Sequence, residues 1–171
     1  MQFKLFTDAT LSTTTVSWEK GIKATEGFTP SLKQLLTWVE DHKSLQEDNQ
    51  VAYGVFDDKN EFASAICEVT VQKHSPRSKW IKMLNLRLHP NIEVGVFNND
   101  VQHVQSAINA YICCILGVFK MKSSHAADTL KVYGRTHEQL TMLTGLATNL
   151  NQKGSKHPFK ASIEGRWLVV K

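Results

Sequence analysis

Glu68, His89 and Tyr133 are the side chains whose types and placement could move protons in this chain. A mid-strand carboxylate serves as a general base if it faces an enclosed cleft, because burial raises its pKa toward neutrality. The other reading of Glu68 is the solvent side of a half-exposed strand. His89 stands at a strand end just before Pro90, and imidazole titrates near neutral pH, which suits proton transfer. A turn histidine without a partner is its alternative. Tyr133-Gly134-Arg135 could bring a hydroxyl and a guanidinium to one rim, where arginine grips a phosphate or carboxylate through two N–H groups. An ordinary strand end accounts equally for those three residues.

Metal chemistry is not expected. The seven histidines, at 42, 74, 89, 103, 125, 137 and 157, show neither HxxxH nor HExxH spacing. Cys113 and Cys114 are neighbours on a helix and point about 100° apart, so core packing is their expected role. With Cys67 they form no CxxC, which argues against a disulfide framework and a zinc knuckle and places the chain in a reducing cytoplasm. Lys153, Lys156, His157 and Lys160 surround Phe159 and could touch a nucleic-acid backbone. No recognised nucleic-acid motif accompanies them, so nucleic acid is not an expected partner.

The elements that must position these groups follow from hydrophobic periodicity. Phe3 and Leu5 mark a short first strand, and the Ser/Thr-rich stretch from Thr10 to Ser17 has no clear period. Thr29-Pro30 starts a helix that carries Leu32, Leu35, Leu36 and Val39 on one face and ends near His42 or Lys43, before an acidic, amide-rich loop at 46–50. Val51 to Phe56, Phe62 to Val71 and Trp80 to Leu88 read as three strands. Asp57 to Asn60 and His74 to Arg77 form the turns between them, which makes an antiparallel meander. On the third strand Asn85 and Arg87 alternate onto the face of Ile81 and Met83, so that face turns polar toward its end.

Pro90, Asn91 and Gly95 interrupt the pattern, and Asn98, Asn99 and Asp100 offer three candidate caps for a long apolar helix from about Asn99 to Met121. Thr129 to Tyr133 is a strand. Thr136-His137-Glu138-Gln139 fits a capping box before a helix ending near Leu150. After a loop at 151–158, Phe159 to Val170 reads as one last strand with Ile163, Trp167 and Val169 on one face. A helix between two strands lets them run parallel, so the sheet is mixed and mostly antiparallel, in an α/β (α+β) fold.

The totals fit one globular domain spanning 1–171: 171 residues, 42% hydrophobic and 21% charged. No apolar run near the N-terminus reads as a secretory leader, and the longest, Tyr111 to Phe119, is too short for a membrane span. Residues 1–58 hold five lysines against nine acids, net −4, and residues 59–171 hold fifteen basic residues against seven acids, net +8. The basic part could meet an anionic ligand, or it could be a solvated surface.

Strand, helix, meander, long helix, strand, helix, strand: this order resembles the GNAT-type N-acyltransferases over nearly the whole chain. The resemblance implies a cleft at the end of the central strand, near Asn85 to His89, that takes acetyl-CoA or another acyl-CoA. Leu86, Arg87 and Leu88 would bind the cofactor there, and Asn98, Asn99 and Asp100 would hold its pyrophosphate at the helix N-terminus, where free N–H groups and the dipole favour an anion. A small-molecule or peptide amine would give up a proton to Glu68 or His89 and attack the thioester. A backbone N–H near Leu86 to Leu88 would take the oxyanion, and Tyr133 would protonate the thiolate. Two positions depart from the family pattern. Arg87-Leu88-His89-Pro90-Asn91-Ile92-Glu93-Val94-Gly95 has one late glycine where the family's phosphate loop has two, and His137 to Leu150 lacks the family's tyrosine. The rival expectation is therefore a non-enzymatic interaction protein on the same scaffold, a homodimer through exposed strand surface or the final strand.

Overall fold

The computed structural model describes residues 1–24, 29–44, 50–57, 61–75, 78–152 and 159–171. Its elements are β1 (Gln2–Leu5), α1 (Asp8–Ala24), α2 (Thr29–His42), β2 (Gln50–Phe56), β3 (Ala63–Ser75), β4 (Ser78–Leu88), α3 (Pro90–Phe97), α4 (Val101–Ser124), β5 (Thr129–Tyr133), α5 (His137–Leu150), β6 (Ala161–Glu164) and β7 (Trp167–Val170). The loop expected at 46–49, parts of both meander turns (58–60 and 76–77), and most of the basic cluster at 153–157 lie outside the described residues.

Seven strands form one sheet in the order β1-β2-β3-β4-β5-β7-β6. Every neighbouring pair is antiparallel except β4–β5, which run parallel because α3 and α4 carry the chain across. The mixed sheet expected from the sequence is thus present. Alternation along the strands divides the core in two. Val55, Ala65, Cys67, Val69, Ile81, Met83, Leu130 and Val132 face α4 and α5, while Ala52, Phe56, Ala63 and Ile66 face α1 and α2.

Four sequence expectations change. The Thr10 to Ser17 stretch lies within α1, although threonine is a weak helix former. Tertiary contacts outweigh that preference: Leu11, Thr14, Trp18 and Ile22 are buried at helical spacing. The Trp18 indole N–H donates to the Ala63 carbonyl at 2.7 Å and the Thr14 hydroxyl accepts the Ala63 N–H at 2.9 Å, so both backbone groups of Ala63 are tied to α1. The second change is in β4. Ile66 pairs with Arg87 but Glu68 pairs with Leu84, so β4 holds one extra residue, and Asn85 takes a left-handed φ of 50°. This bulge moves Leu86 and Leu88 onto the face of Ile81 and Met83 and sends Arg87 to the opposite face.

Third, Pro90 to Phe97 is a helix and not an interruption; His89 is its N-cap and proline occupies its first turn. Fourth, the single last strand is a hairpin. Gly165, with φ 63°, and Arg166 turn the chain, and Ile163 pairs with Leu168, so Ile163 joins the core face of Leu168 and Val170 instead of the face of Trp167 and Val169.

Candidate functional site

Among the described residues β4 and β5 pair from Trp80↔Thr129 to Met83↔Val132. Beyond that pair β5 ends at Tyr133 while β4 runs on through the Asn85 bulge to Leu88, which leaves an opening beside the end of β4.

The His89 N–H donates to the Ser64 carbonyl of β3 at 2.8 Å. Because strand N–H groups alternate in direction, the Leu88 N–H faces away from β3, toward the opening. Its partner there is the Glu93 carboxylate, at 3.3 Å from Oε1. The same carboxylate accepts from the Arg87 guanidinium, Nε to Oε1 at 3.1 Å and Nη2 to Oε2 at 3.3 Å. Arg87 is 7% exposed, so this is a nearly buried, two-point ion pair. Tyr111 of α4 lies close enough to feel the Glu93 charge, and the Gln139 side chain is within hydrogen-bonding reach of its hydroxyl. Burial pushes the Tyr111 phenol well above its ordinary pKa. Gln139 in turn closes the expected capping box with Thr136 and accepts from the Arg135 N–H at 2.7 Å. Glu93, Tyr111 and Gln139 were not singled out from the sequence as site residues. Glu93 stood in plain view beside Gly95, but nothing in its spacing shows that α3 folds it back onto β4.

The predicted proton-transfer groups fall as follows. Glu68, Arg87, His89 and Tyr133 all lie on the α1/α2 side of the sheet, yet among the described residues no hydrogen bond or ion pair joins Glu68, His89 and Tyr133. Asn85 Nδ2 donates to Glu68 Oε2 at 2.7 Å in an exposed position. His89 is 6% exposed; its Nδ1 accepts the Asn91 N–H at 3.2 Å, which leaves the ring proton on Nε2, 3.2 Å from the Ser17 hydroxyl. Trp18 and Phe62 pack on its ring, and burial pushes its pKa down. It sits under α1 as a structural cap. Tyr133 packs against Trp167 with the rings tilted at 54° and 4.9 Å between centres, and the guanidinium near it belongs to Arg166, at 6.0 Å. Arg166 donates to the carbonyls of Gly134, at 2.7 Å, and Arg135, which ties the β7 turn to the end of β5.

At the start of α4 the three candidate caps resolve into one. Asn98 ends α3, Asn99 takes a left-handed φ of 57°, and Asp100 caps α4 by accepting from Gln102 N–H at 2.9 Å and His103 N–H at 3.0 Å. The bonds from His103 hold the Asp100 carboxyl below the usual carboxylate range.

No protein-family model and no curated protein matches the chain. Solved structures do. A probable acetyltransferase superposes with a TM-score of 0.55 at 11% identity, covering 96% of this chain and 99% of that one. The fold is GNAT-like. An acetyltransferase from Trypanosoma brucei aligns at 8% identity over 95% of this chain and 99% of its own, with a TM-score of 0.49. A GNAT-family acetyltransferase from Staphylococcus aureus Mu50 aligns at 5% identity over 98% and 96%, with a TM-score of 0.44. At these identities the likeness is one of architecture.

Within this GNAT-like fold, the residues present do not fit the acyl-CoA that the resemblance implies. Of the residues expected to hold it, Arg87 and the Leu88 N–H are taken by Glu93, and Asp100 spends its own carboxylate on the Gln102 and His103 N–H groups at the head of α4. Both occupants are carboxylates, which repel a pyrophosphate.

Proposed function

We propose that this chain is a degenerate relative of the GNAT-type acyltransferases that works as a non-enzymatic interaction protein in a reducing cytoplasm. The observation that carries this reading is the Glu93 carboxylate, which occupies the Leu88 N–H and the Arg87 guanidinium at the opening between β4 and β5. A cofactor anion would have to break the Glu93 contacts to both groups and then lie beside the displaced carboxylate, a like charge.

A second reading, an acyl-CoA-dependent N-acyltransferase acting on an amine, is favoured by the end of the β4–β5 ladder at Met83↔Val132 while β4 continues to Leu88. In that case Glu68 and Tyr133, on the same side of the sheet, are the groups for proton transfer.

Thermal unfolding with and without acetyl-CoA or CoA at millimolar concentration separates the two. A ligand at a hundred times its dissociation constant stabilises the native state by about 2.7 kcal/mol. We expect an unchanged midpoint for both compounds. A raised midpoint overturns the non-enzymatic reading and moves the search to amine substrates, and loss of that rise in Arg87→Glu would place Arg87 in the cofactor site.

A further inference from the structure

We propose that two copies of this chain pair through the outer face of α4, antiparallel, about a two-fold axis at the level of Ala110. This goes beyond the function proposed above and does not depend on it.

The inner face of α4 is spent on the sheet: Ala107, Ala110, Cys114, Ile115 and Val118 are buried. Its outer face carries four exposed apolar residues, with the uncharged Gln105 inside their arc and Asn109, hydrogen-bonded to it at 3.0 Å, at its edge. Val101 is 81% exposed, Ile108 40%, Ile112 48% and Leu116 57%. At 100° per residue these four positions fall within about 80° of arc, a single stripe. Phe97, at the end of α3, is 86% exposed. An exposed stripe of this kind on a helix marks a contact surface.

The charge pattern indicates what covers it. From Val101 to Phe119 the helix carries no Lys, Arg, Asp or Glu, so a partner with charged side chains would bury them unpaired. A second copy brings the same uncharged stripe, as an isologous interface requires. In an antiparallel pair centred at the level of Ala110, Ile108 meets Ile112 of the partner subunit, and Val104 lies level with Leu116 of the partner subunit. The charges lie at the ends. The Asp100 end of one helix comes to the Lys120 end of the other, and the two helix dipoles oppose. The stripe from Val101 to Leu116 is about 22 Å long and about 10 Å wide. That is below the roughly 800 Å² per partner of a tight complex, so the dimer dissociates on dilution.

By length and composition α4 could also cross a membrane, which makes a lipid surface the competing occupant. Sedimentation velocity from micromolar to several hundred micromolar should show a monomer–dimer equilibrium for the full chain. Ile112→Glu and Ile108→Lys should each stay monomeric, with wild-type circular dichroism because both sites are solvent-exposed, and should pair with each other on mixing. A wild-type chain that remains monomeric throughout overturns the proposal, as does a dimer unchanged by Ile112→Glu. Failure of the two folded variants to pair on mixing overturns the antiparallel arrangement. Co-sedimentation of the wild-type monomer with phosphatidylcholine–phosphatidylserine vesicles, abolished by Ile112→Glu, assigns the stripe to a membrane surface instead.

Discussion

The Arg87 guanidinium and the Glu93 carboxylate, six residues apart in sequence, lock the end of the central strand to the helix that follows it, with the Leu88 N–H as a third point of attachment. The bulge at Asn85 makes this possible. Without the extra residue, Arg87 would have kept to the face of Ile81 and Met83, inside the core against α4.

Removing the carboxylate strands the arginine. Glu93→Ala should lower stability by about 2–3 kcal/mol, less than a fully buried pair because Glu93 is 21% exposed. Glu93→Gln keeps an acceptor for Leu88 and should lose less. Arg87→Met with Glu93→Leu should recover most of the loss, since no charge is then left unpaired. Urea midpoints at constant m-value measure all three.

His89 gives the fold a pH dependence with a definite sign. Burial favours the neutral ring, so its folded pKa lies below the value of about 6.5 in the unfolded chain. The unfolded state therefore binds the proton more readily. The contribution of His89 is fully present above about pH 6.5 and is lost as pH falls through the folded pKa. Asn at this position retains a capping acceptor for the Asn91 N–H but does not titrate. Between pH 7.5 and pH 5 the melting temperature should fall further for wild type than for His89→Asn. Equal falls would exclude His89 as the source.

Two glycines should respond oppositely to alanine. A Cβ on Gly95 would stand 2.1 Å from Cγ and 2.5 Å from Cβ of His103, close to the backbone of α4, so α3 and α4 would have to separate. Gly95→Ala should cost about 1–3 kcal/mol. Gly145, on α5, has nothing within 4 Å of the added carbon. Gly145→Ala should gain about 0.5–1 kcal/mol through helix propensity. Denaturant titration of both variants tests the pair.

Asn85 holds the bulge with a left-handed backbone that β-branched residues resist. Asn85→Val should cost about 1–2 kcal/mol, from that strain and the lost bond to Glu68. Asn85→Gly relaxes the backbone while losing the same bond, and should stay within about 0.5 kcal/mol of wild type. If both variants unfold at the same urea concentration, the strand does not depend on the φ at this position.

What the sequence by itself determined were the elements whose signals are local. Thr29-Pro30 opened α2, Thr136 and Gln139 closed the capping box of α5, β5 ran from Thr129 to Tyr133 as read, and the apolar spacing of α4 marked the long helix. Each depends on residues within one or two turns of each other. The bulge, the first helix and the closing of the site were decided only by tertiary structure. Apolar residues along β4 shift from Ile81 and Met83 to Leu84, Leu86 and Leu88, a phase slip that fits a bulge but equally fits a face turning polar; the register that decides between them is set by β3, nearly twenty positions away. The threonines of α1 argue locally against a helix and are outweighed by Trp18 and Thr14 gripping Ala63. Arg87 and Asp100 looked like an anion site because arginine and a helix N-terminus both attract negative charge. The folded chain supplies that charge from its own Glu93 and from Asp100 itself, and a charge pairs with whatever the fold brings within reach, which no spacing along the sequence records.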